Sequence, residues 1–406
     1  MSFQQGLSGL NGASKQLETI GNNIANANTV GFKSAVTQFS DVYANSLSGT
    51  SGLGTAGIGT RVSQIAQQFS QGNITASNSA LDMAINGGGF FRLNKDGAIS
   101  YARNGQFQID KDGFIISADG GRLSGFSANN QGVLSTGSPT DLRISTADLA
   151  PADTSNIEMQ FNLDSSEAIT AAPAYNKSTS VTVYDSLGNS HVLQLNFRKT
   201  ANNTWTVTPT SSSVVAPATI TTTPATITLV FNNDGTLLSG SPGTITLPLT
   251  NGAETPINGA TGINLDMSQA TQFGSVFGVN STSQNGFASG RLSGFNIGSD
   301  GIITGRYTNG KTSTLGQVVL ANFSNPNGLQ PLGNNQWAES ASSGVALIGT
   351  PNSGRMGLIQ SSAVEDSNVD MTAELVNMIT AQRVFQANAQ TIKTQDQILQ
   401  TLVNLR

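Results

Sequence analysis

Hydrophobic positions at the two ends of the chain repeat with helical spacing, and those in between do not. Near the start, Phe3, Leu10, Leu17 and Ile24 fall seven apart, and Gly6, Ala13, Ile20 and Ala27 form a second line offset by three. Large side chains on one line and mostly small ones on the other predict a helix with an a/d seam over residues 1–30. Ser2 and Gln5 have the spacing of a capping box, and Gly31 is placed to stop the helix. At the other end Met371, Met378, Phe385, Ile392 and Leu399 make a further line of period seven. Leu375, Ala389 and Val403 flank it, and Gln382 and Asp396 interrupt it. Ser367-x-x-Asp370 reads as its start signal, so 361–406 is expected as a second helical region.

Between the ends the period drops to two. Turn dipeptides such as Asp96-Gly97, Asn104-Gly105, Asp112-Gly113, Asp234-Gly235 and Asn309-Gly310 separate short runs of β-branched and aromatic residues, among them Phe107–Ile109, Val181–Tyr184 and Gln317–Leu320. This pattern predicts hairpins in sandwiches or barrels. The hexapeptide Gly121-Arg-Leu-Ser-Gly-Phe126 returns unchanged at Gly290–Phe295, and the Thr-, Ala-, Ser- and Pro-rich stretch 146–282 lies between the copies. The expected fold is therefore mixed but mainly β, one β-rich domain inserted in another, with N- and C-terminal α-helices that form a coiled coil on assembly. The inner domain is read as 73–145 plus 283–360 and the inserted one as 146–282. Residues 31–72, which hold the Gly/Ser stretch 45–60, are read as a linker.

Composition narrows the chemistry. The chain has 406 residues, of which Lys plus Arg number 19 and Asp plus Glu 24, so charged residues make up 11%. A nucleic-acid surface needs dense basic charge, and none is available here. Histidine occurs once and cysteine never, which removes thiol chemistry, disulfides and Cys/His zinc sites. The opening Met1–Gly6 has neither a basic nor an apolar region of a cleaved signal, and no apolar run approaches a membrane span.

Three motifs carry possible chemistry. Gly52-Leu-Gly54-Thr-Ala-Gly57 matches the dinucleotide fingerprint literally, but a Ser/Gly stretch precedes it and no acid follows near 71–78. Asp110-Lys-Asp112-Gly113 begins like a calcium loop, yet the sixth and twelfth positions are Ile115 and Gly121, so a hairpin turn is the better reading. His191 has Asp185 nearby as an orienter, but there is no Gly-x-Ser-x-Gly elbow, and an ordinary edge-strand histidine is favoured. The chain is read as no enzyme, with no catalytic, cofactor-binding or metal residues.

The terminal seams admit two readings, a helix pair within one chain or association between chains. Gly6, Gly9, Gly12 and Gly21 each cost the first helix about 1 kcal/mol relative to alanine. Charges at flanking positions are few, with Asn, Gln, Ser and Thr in their place. The favoured expectation is that the ends are unstructured in a lone chain and fold when copies associate.

Leu17-Glu-Thr-Ile-Gly-Asn-Asn-Ile-Ala-Asn-Ala-Asn-Thr-Val-Gly-Phe-Lys33 resembles the N-terminal signature of the flagellar rod and hook protein family, including Asn22, Asn23, Asn26, Gly31 and Phe32. Leu81–Phe91 and Tyr101–Gly105 resemble the opening of its β domain, and Glu374–Arg383, with Gln382 and Arg383, followed by Gln386–Lys393, its C-terminal signature. Length, the central insertion, Tyr307–Gly310 and Gly316–Phe323 resemble the hook members rather than shorter rod proteins. Phe385 stands where tyrosine is frequent in the family, and the Gly-rich stretch 49–59 is longer than in many relatives.

The resemblance implies a self-assembling subunit of the hook, a curved flexible tube outside the cell that acts as a universal joint between rod and filament. Its self-assembly seam would comprise Phe3, Leu10, Leu17, Ile20, Ile24, Met371, Leu375, Met378, Phe385, Ile392, Leu399 and Val403. Its partners would be further copies of itself, rod, hook-cap and hook–filament junction proteins, and the type III apparatus that exports it unfolded without cleavage. A distal rod protein is the alternative within the family. An extracellular β-rich adhesin built on 146–282 is the alternative outside it.

Overall fold

The computed structural model describes residues 2–42, 57, 59–129, 132–145, 147–212, 219–220, 225–246, 257 and 262–404. Its contacts divide the chain into two units, Met1–Ser145 with Phe295–Gly305 and Ser313–Arg406, and Thr146–Gly294 with Arg306–Thr312. The expected mixed, mainly β class with terminal helices is what the structure has.

In the first unit the outgoing and returning parts of the chain pair in order. The sequence starts with helix α1 (Ser2–Ala25), then an antiparallel pair of strands, β1 (Ala35–Val42) and β2 (Gly59–Gln67). Strand β3 (Ile74–Ala76) then pairs with Ala363–Glu365, and β4 (Met83–Asn86) with Leu358–Ser361, before the chain closes in helix α2 (Met371–Asn404). Beyond β4 lies a large sheet whose strands include Phe90–Lys95, Ala98–Ala102, Arg122–Ser127 and Gln336–Ala338. One face of it carries an aromatic core of Phe90, Tyr101, Phe323 and Trp337, with Phe69 packed against them. Phe69 and Phe90 meet Trp337 edge-on at 5.5 and 5.7 Å, the arrangement that ring quadrupoles favour.

Three expected boundaries are corrected here. The linker 31–72 contains β1 and β2, because Ala35–Val42 and Gly59–Gln67 are rich in β-branched and aromatic residues that pair across an antiparallel register. Of the Gly/Ser stretch 45–60, residues 45–56 and 58 lie outside the described residues, and Gly59 and Thr60 open β2. The first helix ends at Ala25 rather than 30, where Asn26 turns its side chain back onto the Asn22 carbonyl and competes with helical continuation. Residues 361–370 are not helical, since Ala363–Glu365 is a strand.

The second unit places a sheet built around Asn156–Asp164 against one built around Ser190–Ala201. Period-two burial aims Ile157, Phe161 and Leu163 from one strand and Leu193, Leu195 and Phe197 from the other into one core with Trp205. The Trp205 indole donates to the Gln272 side-chain oxygen at 3.1 Å, so its N–H is satisfied inside the core. The second copy of the hexapeptide opens the strand Leu292–Ile297 as the first opens Arg122–Ser127. Leu123 is fully buried and Leu292 only half-buried, so the repeat carries strand and turn chemistry rather than one packing role.

Candidate assembly surface

The two terminal helices pair with each other within the chain. The pair is antiparallel. Residue 6 lies beside Ile392 near one end, and Asn23 Nδ2 donates to Glu374 Oε1 at 3.1 Å near the other. Glycine accounts for the close approach. A Cβ at Gly6 would stand 3.1 Å from Ile392, and one at Gly9 2.8 Å from the Asn388 amide. The propensity lost at these positions is offset by packing that a larger residue would block. Gly21 differs, with nothing within 4 Å of where an added methyl would sit. Gly21→Ala is therefore expected to stabilise the dilute chain by about 0.5–1 kcal/mol, read as a raised urea midpoint.

The seam divides unequally. Gly6, Ala13 and Ile20, the mainly small line of α1, are buried. The large line is not, for Leu10, Leu17 and Ile24 are half-buried and Phe3 is 46% exposed. On α2, Ala381 is buried, and Met378, Phe385 and Ile392 are half-buried on the stripe that meets α1. Met371, Leu375, Leu399 and Val403 remain exposed. Val376 and Ile379, 59% and 52% exposed, enlarge the uncovered apolar surface at the start of α2. Sequence reading passed over them because they fall off the period-seven line. Contiguous apolar surface on a folded chain marks an interaction site.

A second face of α1 is covered by β1 and β2. Phe39 lies against Gly12, the Thr37 hydroxyl donates to that of Thr19 at 2.9 Å, and the Thr60 N–H donates to Ser8 Oγ at 3.3 Å. Gln5 reaches across to donate to the Gly57 carbonyl at 2.6 Å rather than back along the helix, so its part in the expected capping box is not taken up. At the start of α2, Asp370 Oδ1 accepts the N–H groups of Thr372 and Ala373 at 2.9 and 3.1 Å and caps the helix.

Signature residues in the last turn of α1 and beyond it join the helices to the β structure. Asn23 is buried, and its amide exchanges two hydrogen bonds with the backbone of Ala35, at 2.8 and 2.9 Å, as a strand would. Asn368 accepts the Ser34 N–H at 2.7 Å and donates to the Gln68 carbonyl at 2.8 Å, tying the lead into α2 to β1 and β2. Gly31 has φ +71°, and a Cβ there would lie 2.5 Å from the Asn104 nitrogen, so glycine is required twice over. Phe32 is half-buried beside it, whereas Asn22, Gln382 and Arg383 are exposed.

Beneath this junction lies a buried charge cluster. Lys33 Nζ donates to Glu365 Oε1 at 2.6 Å and to the Ser70 carbonyl at 2.7 Å. Gly72 N–H donates to the same Glu365 oxygen at 2.9 Å, and Arg103 Nε lies 3.4 Å from Oε2. Both cations sit below their ordinary pKa. Burial is the chief cause for each, and Glu365 opposes the shift. Lys33 and Arg103 lie in the family-like motifs of the sequence, but Glu365 was missed. The available signal was an acid inside the apolar run Ala363-Val-Glu365 of a chain with little charge.

The chemical motifs resolve simply. Asp110 Oδ1 accepts from the N–H groups of Asp112 and Phe114 at 2.9 and 2.8 Å, which makes a turn with Gly113 at φ +85°. His191 Nε2 does approach Asp185 Oδ2 at 3.1 Å, but Asp185 also holds the turn N–H groups of Leu187 and Asn189, and His191 Nδ1 is buried without meeting a hydroxyl. The strand Ser190–Ala201 is interior to its sheet, flanked by Lys177–Tyr184 and Thr204–Ser212, so the edge-strand reading of His191 is corrected. Residues 52–56 of the glycine fingerprint lie outside the described residues.

Four family profiles match in chain order. They are the flagella basal body rod protein (residues 3–33), the flagellar hook protein FlgE/F/G D1 domain (84–183), the flagellar basal body protein FlaE D2 domain (162–287) and the flagellar basal body rod FlgEFG protein C-terminal (360–405). The flagellar hook protein FlgE of Salmonella typhimurium is 43% identical over the whole of both chains, and that of Escherichia coli 42%. That of Borreliella burgdorferi is 33% identical over all of this chain and 99% of its own. The crystal structure of Helicobacter pylori flagellar hook protein FlgE2 matches in fold, with a TM-score of 0.56 at 13% identity over 72% of this chain and 100% of that one.

Proposed function

The chain belongs to the flagellar hook protein family and is a structural subunit of the hook of the bacterial flagellum, outside the cell, and we propose that its uncovered helical face drives its polymerisation. The observation that carries this reading is the half-open helix pair. Small residues hold α1 and α2 together, while Phe3, Leu10, Leu17, Leu375, Ile379 and Leu399 remain for neighbouring copies to cover. Covering each side chain contributes about 1 kcal/mol per half of its surface, a sum of about 5 kcal/mol per subunit set against the loss of free motion.

The flanks of this face suit repeated contacts. They offer amides and hydroxyls, which re-form hydrogen bonds after a small slip, and little charge that would need a fixed partner. The buried junction at Lys33, Arg103 and Glu365 keeps the helices fixed to the β structure while those contacts shift, so that torque passes from one to the other. Rod, cap and junction proteins would meet the same face at the two ends of the tube, and export would precede folding. The chemistry of the chain supports a mechanical rather than a catalytic role.

Electron microscopy of concentrated full-length chain, and of chain lacking residues 2–25, tests the reading. Tubes are expected from the full chain alone. Tubes from both, or from neither, would count against the helical face as the driving surface.

A further inference from the structure

In the first unit, Arg103 is 4% exposed, and its guanidinium is only partly provided for. Nη2 donates to the Gly87 carbonyl at 2.7 Å, and Nε lies 3.4 Å from Glu365 Oε2. Nη1 is buried and meets no acceptor among the described residues. Glu365 is also the carboxylate of Lys33, so two buried cations share one anion. Buried charge of this kind calls for a further counter-charge or acceptor.

Arg103 also borders a cavity of about 220 Å³, together with Phe69, Gln71, Phe90, Asn322 and Pro326. No acid lines it. Gly87 joins two of its walls, for its carbonyl holds Arg103 and its N–H donates to Gln71 Oε1 at 3.0 Å. Gln71 is exposed, so small solutes reach the cavity from water. Two phenylalanines and a proline in the wall lower the local dielectric, which strengthens the pull of the guanidinium on an anion.

We infer that this cavity binds a small carboxylate, whose oxygens accept from Arg103 and offset the excess positive charge. A guanidinium and a carboxylate are matched in plane and donor spacing, and a single negative charge balances the cluster where a dianion would overshoot. The site lies in the β structure and is independent of how the subunits assemble.

Melting of the dilute full chain in sodium formate, against sodium chloride at equal ionic strength, tests the site. Saturation transfer from protein to the formate proton reports contact directly. Two variants place a carboxylate in the wall itself. Gln71→Glu keeps the acceptor for Gly87, and Asn322→Asp keeps the one that takes the Phe323 N–H at 2.8 Å. At about ten times its dissociation constant, formate is expected to raise the melting temperature by about 2–4 °C beyond chloride. Saturation transfer should be seen in the unmodified chain, and both signals should vanish in the folded variants, which carry their own anion. Equal effects of the two salts, or no saturation transfer, overturn the site. So does a full formate response in either folded variant, since the anion would then bind elsewhere.

Discussion

Replacing Glu365 with alanine is expected to lower the unfolding free energy by about 3–5 kcal/mol, the usual consequence of leaving buried charge uncompensated. Lys33 and Glu365 have side chains wholly shielded from solvent and Arg103 nearly so. Removing the single carboxylate strands two cations and also frees the Gly72 N–H and one Lys33 donor. Lys33 has the Ser70 carbonyl left, a dipole that cannot offset its charge. Since domains are commonly stable by about 5–15 kcal/mol, the loss removes a large fraction of the margin. Glu365→Gln preserves shape but not charge, so it should recover only a small part. Denaturant unfolding of the dilute monomer, followed by circular dichroism, checks both variants. A change below about 1 kcal/mol in Glu365→Ala would show that the cluster is hydrated and not the clamp described here.

Much of the fold was legible because local and tertiary demands agree. Asp-Gly and Asn-Gly pairs mark turns, period-two runs mark strands, and the start signal Ser367–Asp370 does precede a helix, which Asp370 caps. Where reading failed, a nearby signal was outweighed. Beside so much Gly and Ser, the alternation in β1 and β2 passed for linker, although Val36, Thr37, Phe39, Val62 and Ile65 are strand formers. Glycines in α1 were counted as a propensity cost, which is correct for an isolated helix, but whether Gly6 and Gly9 face Ile392 and Asn388 depends on contacts between opposite ends of the chain.

The candidate surface was legible in half. A period of seven identifies a stripe but not which line of it faces inward. In this chain the mainly small line packs inside and the large line stays partly open, the reverse of a helix buried by its biggest side chains. Glu365 could be seen only with the fold in hand, since its partners lie at positions 33 and 103.

Leu375→Asp combined with Ile379→Asp should raise the concentration needed for polymerisation at least about 100-fold, equivalent to about 2.7 kcal/mol. Both side chains are close to half exposed, so neighbours that cover them would gain about 1 kcal/mol from each, and two carboxylates in an uncharged contact cost several more. Surface substitutions of this kind alter the folded monomer by only about 0.5 kcal/mol each. The decisive measurement is therefore the critical concentration of this double variant by sedimentation, beside its monomer melting curve. An unchanged melt with no tubes where the unmodified chain assembles is the predicted result; tubes at the unmodified concentration would contradict the open helical face as the surface that builds the hook.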